Sequence, residues 1–278
     1  MANLRILYNN IIDTASNIAA TTTASGYPIS NMQTDIKGQV WRSTSLLSNT
    51  ITIDWATAQT IGVVVLPYTN LSSSATINTT FWTGAAGTGT NVYTTGTVAA
   101  VPYNFSTWGT PATGANAYSY GGGNAVRVYT PSILTNVLSV TITILDASNT
   151  QGYIEISRLV AGTYWSPTYN TEFGLSVEYI DQSSVSRAQS GNIITDIAPI
   201  HKVLNFTLSY LQKADRNMLL QIMKLNGMRK SLFISLFPSD TDVEKEFTYQ
   251  IYGRLSSNPT ITHPMFSQYT SSIAIEEV

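Results

Sequence analysis

The segment VLNFTLSYLQKADRNMLLQIMKLNGMRKSLFISLFPS, residues 203–239, carries a strand, a short helix and a second strand in succession. Leu204, Phe206, Leu208 and Tyr210 alternate with Asn205, Thr207 and Ser209. A period of two describes a strand with one buried face. In 213–227 the spacing changes: Met218, Leu219, Ile222, Met223 and Leu225 fall within one broad stripe at 3.6-residue spacing. Asp215 sits in the first turn of this predicted helix and Lys224 in the last, each at the end its charge favours. Gly227 is placed to end it in a left-handed conformation. Ser231–Pro238 then reads as a strand buried on both faces. A helix of about four turns is not stable alone in water, so it must pack on the strands around it.

The chain has 278 residues, which suggests two domains. It holds no cysteine, which excludes disulfides, thiolate metal sites and thiol nucleophiles. A net charge of −2 gives no electrostatic footprint for duplex nucleic acid. The N-terminal apolar run is too short for a signal peptide, and no run reaches the roughly 20 apolar residues of a membrane span. A soluble protein made in the cytosol, without membrane insertion, is therefore expected. Only 11% of residues are charged, against about 25% in typical domains. Uncharged polar strand faces of this kind are common where subunits assemble. Residues 1–165 hold 10 charged residues and 166–278 hold 20. That jump in charge density places a domain boundary near 162–169.

Residues 1–165 are all-β by pattern. Asn49–Trp55 alternates, Ile61–Leu66 is a continuous apolar run, and further strands are read at 76–82, 91–95, 125–129, 137–145 and 153–160. The Gly/Thr/Ala-rich stretches between them, 84–90 and 109–123, complete the signature of a β-sandwich or jelly roll. The order of Asn31, Trp41-Arg42-Ser43, Ile53-Asp54-Trp55 and Ile61–Leu66 resembles the opening of a discoidin-like (galactose-binding-like) jelly roll. This sequence lacks the cysteine pair that ties many members' termini, and no calcium loop is matched. Neither metal nor sugar binding is carried over. In residues 166–278, Glu172–Ile180 reads as a strand, Ser184–Asn192 as an exposed arm or hairpin tip, and 248–255 and 266–275 as closing strands. With the strand–helix–strand core this resembles the tail-tube-like domain of tailed-bacteriophage distal tail (baseplate) proteins, a small β-barrel with one flanking α-helix.

Reacting groups are few. His201 and His263 lie beside predicted strands without a nucleophile motif and are read as structural. Asp240, Asp242, Glu244 and Glu246 form the densest acidic run. It lacks the glycine of a calcium loop and is read as a solvated hairpin. Asp54 and Asp13 offer no facing carboxylate pair for glycoside hydrolysis. Gly121-Gly122-Gly123 lacks the Lys-Ser/Thr and helix of a phosphate loop. Trp165 is read as a packing anchor between the domains. Trp108, Tyr118 and Tyr120, with Tyr103 upstream, are the candidate glycan contacts, against the alternative that they pack under their loop or at a subunit interface. The expectation is a non-enzymatic protein without cofactor or metal. It would be a structural component of a phage tail tip, assembled in the host cytoplasm into the virion. Its second domain would form a homo-oligomeric ring with tail-tube and other tail-tip partners, six copies if the resemblance holds, and its first would be an accessory carbohydrate-binding-like domain for host surface sugar. The alternatives are a lectin-like adhesin that its second domain attaches to a larger particle, and a polysaccharide hydrolase.

Overall fold

The computed structural model describes residues 3–101, 126–198 and 200–278. The architecture is all-β, with every described strand pair antiparallel. A seven-stranded sheet runs in the order Val160–Gly162, Asn49–Leu66, Val126–Leu145, Thr76–Trp82, Asn91–Thr94. Asn17–Ala20 adds to Asn49–Leu66, and Val98–Ala99 to Thr76–Trp82. The runs read separately at 49–55 and 61–66 are one long strand, broken in register between Asp54 and Val63. Such irregularities bend a strand. Ile51 and Ile53 from one half and Ile61, Val64 and Leu66 from the other consequently enter the same core, with Trp41, Phe81 and Ile142. This is the sandwich.

The second sheet has eight strands, in the order Tyr164–Trp165, Arg5–Leu7, Leu232–Ser235, Gln250–Leu255, Gln268–Glu277, Ile200–Leu211, Ser176–Asp181, with Ile261–Met265 added to Gln268–Glu277. Residues 5–7 and 164–165 thus flank the whole sandwich in sequence yet pair with each other, Ile6 opposite Trp165. Trp165 packs in this second core, and a cut at residue 165 would sever Arg5–Leu7 from Leu232–Ser235.

The helix spans Lys213–Asn226 and ends at Gly227, whose φ is +52°. Leu219 and Ile222 are buried against Ile6, Phe206, Ile234 and Ile273. Leu225, placed in the apolar stripe by its spacing, is exposed, and Asn226 is buried instead, donating to the Tyr8 carbonyl at 2.6 Å. Tyr210 likewise leaves the expected face. The register shifts between Leu208 and Leu211, Tyr210 takes φ +59° and turns outward, and Leu211 enters the core. The acidic run 240–246 is no solvated hairpin. Asp242 caps a short helix, Val243–Thr248, by accepting from the Lys245 N–H, and Glu246 is buried.

Leu232–Ser235 is buried on both faces, as its apolar run predicts. The reason is the domain junction. Leu232 and Ile234 face the helix, while Phe233 packs with Leu7, Val63, Val65, Tyr68, Val160 and Tyr252 in a separate cluster drawn from both domains.

Candidate interaction surfaces

Trp108, Tyr118 and Tyr120, together with Tyr103 and the three consecutive glycines, lie outside the described residues. The other residues singled out from sequence are dispersed. His201 Nε2 lies 3.1 Å from Glu276, and the His263 ring stacks on Tyr269 at 4.6 Å. Asp54 accepts from the Ala86 N–H at 2.6 Å and from the Asn17 amide at 3.1 Å, tying a loop to its strand. Asp13 pairs with Arg158 at 2.8 Å. Among the described residues, no three His, Asp or Glu side chains gather as metal ligands, and no helix is long and apolar enough to cross a membrane.

The densest polar constellation lies at the junction. Asp35, from the first domain, accepts from the Tyr252 hydroxyl at 2.6 Å and the Ser231 hydroxyl at 2.8 Å. It also pairs with Arg158 at 3.0 Å and Arg254 at 3.4 Å. Burial works against its charge, but these donors and guanidinium groups together hold its pKa below the usual carboxylate value. Burial pushes the Tyr252 hydroxyl the other way, far above its ordinary range. Arg127 and Glu246 form a second cross-domain ion pair, both side chains buried. Lys37 reaches Glu277 at 3.2 Å and sits 4.2 Å over the Tyr68 ring. Beside this network an open groove of about 450 Å³ is lined by Asp35, Arg254, Glu276 and Glu277.

A smaller constellation decorates the sandwich. Trp41–Arg42 pairs with Glu155–Ile156, so Trp41 points inward and Arg42 outward, opposite Glu155. Arg42 lies between two rings, 4.0 Å from the centroid of Tyr27 and 3.9 Å from that of Tyr153. Its Nε and Nη2 donate to one oxygen of Glu155, at 3.2 and 2.7 Å. Burial opposes the charge of Arg42, but the Glu155 hydrogen bond and its negative charge outweigh that and hold the pKa above its ordinary value. Sequence reading named Arg42 only within a core pattern. Its partner lies 113 residues away, and nothing local signals it.

The third surface is apolar. Among the described residues, Ser184–Arg187 and Ile193–Asp196 pair only with each other, as a hairpin carried between Ser176–Asp181 and Ile200–Leu211. Its residues are all exposed, including Val185, Ile193 and Ile194, and Ile197 beyond it is 86% exposed. Ser176–Asp181 has a strand on one side only among the described residues, which leaves an open sheet edge. The region read as an exposed arm or hairpin tip is therefore a hairpin.

No protein-family model matches the sequence, and no curated protein matches it. Among solved structures the chain is similar to a Streptococcus pneumoniae fucose binding module, at 12% identity over 56% of this chain and 99% of that one, with a TM-score of 0.39. It is also similar to chitosan-binding module 1 of a chitosanase/glucanase from Paenibacillus sp. IK-5, at 13% identity over 55% and 98% of the two chains and a TM-score of 0.37. A Ruminococcus gnavus GH29 fucosidase shows 16% identity and a TM-score of 0.38 over 56% of this chain, which spans only 27% of that enzyme. No tail or baseplate protein is among these structures. The modules are of carbohydrate-binding type. At such scores the likeness carries no argument about ligand or activity, and the jelly-roll reading of the first domain rests on its own strand pairing.

Proposed function

We propose that this chain is a lectin-like attachment protein: a sandwich that offers a carbohydrate-binding face, carried on a second domain that docks it into a larger assembly. One observation supports the reading above the others, the unequal division of the surface. Of twenty large hydrophobic side chains exposed among the described residues, fifteen lie at or after Tyr169. Concentrated apolar exposure suits a protein partner. The first domain is sparse in charge and rich in Thr, Ser and Asn, and among its described residues few large apolar side chains are exposed, a surface matched to neutral, hydroxylated ligands. The test is to screen the full chain on an oligosaccharide array and to measure its mass by light scattering. Binding, together with self-association or capture by an assembly partner, is expected. A monomer that binds no glycan would overturn the reading.

The hairpin and open edge favour a second reading, a ring-forming structural component of a phage tail tip, with six copies as the resemblance implies. Electron microscopy of the purified chain should then show closed rings. Failure to form rings at high concentration, alone or on tail-tube protein, would remove it.

A further inference from the structure

We infer that Tyr27, Arg42, Tyr153 and Glu155 form a subsite for a neutral sugar ring. The inference rests on the lectin-like reading above and gives it a location and a ligand class. Each tyrosine has one face on the guanidinium and remains partly exposed, so some ring surface is still available to the C–H face of a sugar. With Nε and Nη2 of Arg42 given to Glu155 Oε2, the two N–H groups of Nη1 and the Glu155 Oε1 are left to donate to and accept from neighbouring hydroxyls.

The loops are held in place before any ligand arrives. Asn70, fully buried, donates to the Tyr153 carbonyl and to Gln151, both at 2.9 Å, and accepts from the Glu155 N–H at 2.7 Å. The Ala24 N–H donates to the Arg42 carbonyl at 2.8 Å, and the Tyr27 N–H to the Ala24 carbonyl at 3.1 Å. Preorganisation of this kind lowers the entropy lost on binding. A β-carbon added at Gly26 or Gly152, beside the two tyrosines, would meet nothing within 4 Å, so the approach on both loops is open. Charge selects the ligand. Arg42 is neutralised by Glu155, and the second oxygen of Glu155 would repel a sugar carboxylate.

The experiment uses the full chain on an array of neutral and acidic oligosaccharides, followed by calorimetric titration with the tightest neutral member. Tyr27→Ala and Tyr153→Ala should each weaken binding about tenfold with the melting temperature nearly unchanged. Glu155→Gln should shift preference toward uronate-containing sugars, a change that a merely structural role would not produce. Wild-type binding that survives Tyr27→Ala and Tyr153→Ala but is lost with Tyr118→Ala and Tyr120→Ala would overturn this subsite and leave the lectin-like reading standing. Wild-type preference for acidic sugars would also overturn it. Absence of wild-type binding to any oligosaccharide would remove both.

Discussion

Asp35 shows how much a single side chain can hold. It gathers two hydroxyls and two guanidinium groups from both sides of the junction. Removing one partner of a buried ionic cluster leaves the others uncompensated. Asp35→Ala should therefore cost about 2 kcal/mol in urea denaturation, discounted for its partial exposure and for the Asp13 that Arg158 keeps. Because the Asp35 pKa is depressed, its contribution is present above the unfolded value near 3.9 and is lost as pH falls through the folded one. Lys202 works in the opposite sense. Burial, against the pull of Glu277, lowers its pKa to about 8, although its amine still donates to the Gln250 carbonyl at 3.0 Å. Between about pH 8 and the unfolded value near 10.4 the unfolded chain holds the extra proton, so stability from this residue rises with pH across that window. The melting temperature of the wild type relative to Lys202→Met should climb from pH 8 to 10, and a flat difference would show that the amine keeps its ordinary pKa in the fold. None of this was legible in the sequence. Asp35 is 217 residues from Tyr252, and a lone acid in a polar stretch gives no sign of such partners.

Elements were more readable than residues, and for a physical reason. Alternation and 3.6-residue spacing are local, and they located the helix, Leu232–Ser235 and most strands. What failed was phase after an irregularity. The bulge near Tyr210 moved Leu211 inward, and the breaks after Asp54 joined two runs into one strand. The acidic run 240–246 misled because it is polar by composition, although one of its members, Glu246, has a buried arginine partner in the other domain. Gly253 is a tight spot within an element. A β-carbon there would stand 2.1 Å from the Glu276 carbonyl oxygen, where two paired strands meet. Backbone cannot yield as a flexible side chain does, so Gly253→Ala should destabilise by about 3 kcal/mol, at the upper end of ordinary overpacking. Denaturant titration would read it, and a cost under half that figure would mean that the strands separate easily.

At the scale of the molecule, the composition step near residue 165 marks a change in surface character more closely than a change of sheet. Charged pairs, the Tyr68–Tyr252 contact and the Phe233 cluster all cross the junction. Calorimetry should accordingly give one unfolding transition in the wild type. Arg127→Ala, which leaves Glu246 buried without its cation, should lower the melting temperature and begin to split the transition in two. The candidate sugar contacts named from sequence are aromatic residues on one stretch of chain, whereas the Tyr27–Arg42–Tyr153 grouping needs two loops and a strand brought together by the fold, which no linear pattern announces.

The pairing of Arg5–Leu7 with Tyr164–Trp165 and Leu232–Ser235 also sets an order of events on the ribosome. The sandwich is complete in sequence once Gly162 has emerged, so it can condense while the rest is still being made. Arg5–Leu7, synthesised before the sandwich, must wait for its main partner until residue 235 is out of the tunnel. During that interval Arg5–Leu7 is paired on one side only, with Tyr164–Trp165, and its other edge stays open beside a folded neighbour. A nascent chain stalled between those two points should be the form most readily held by a chaperone.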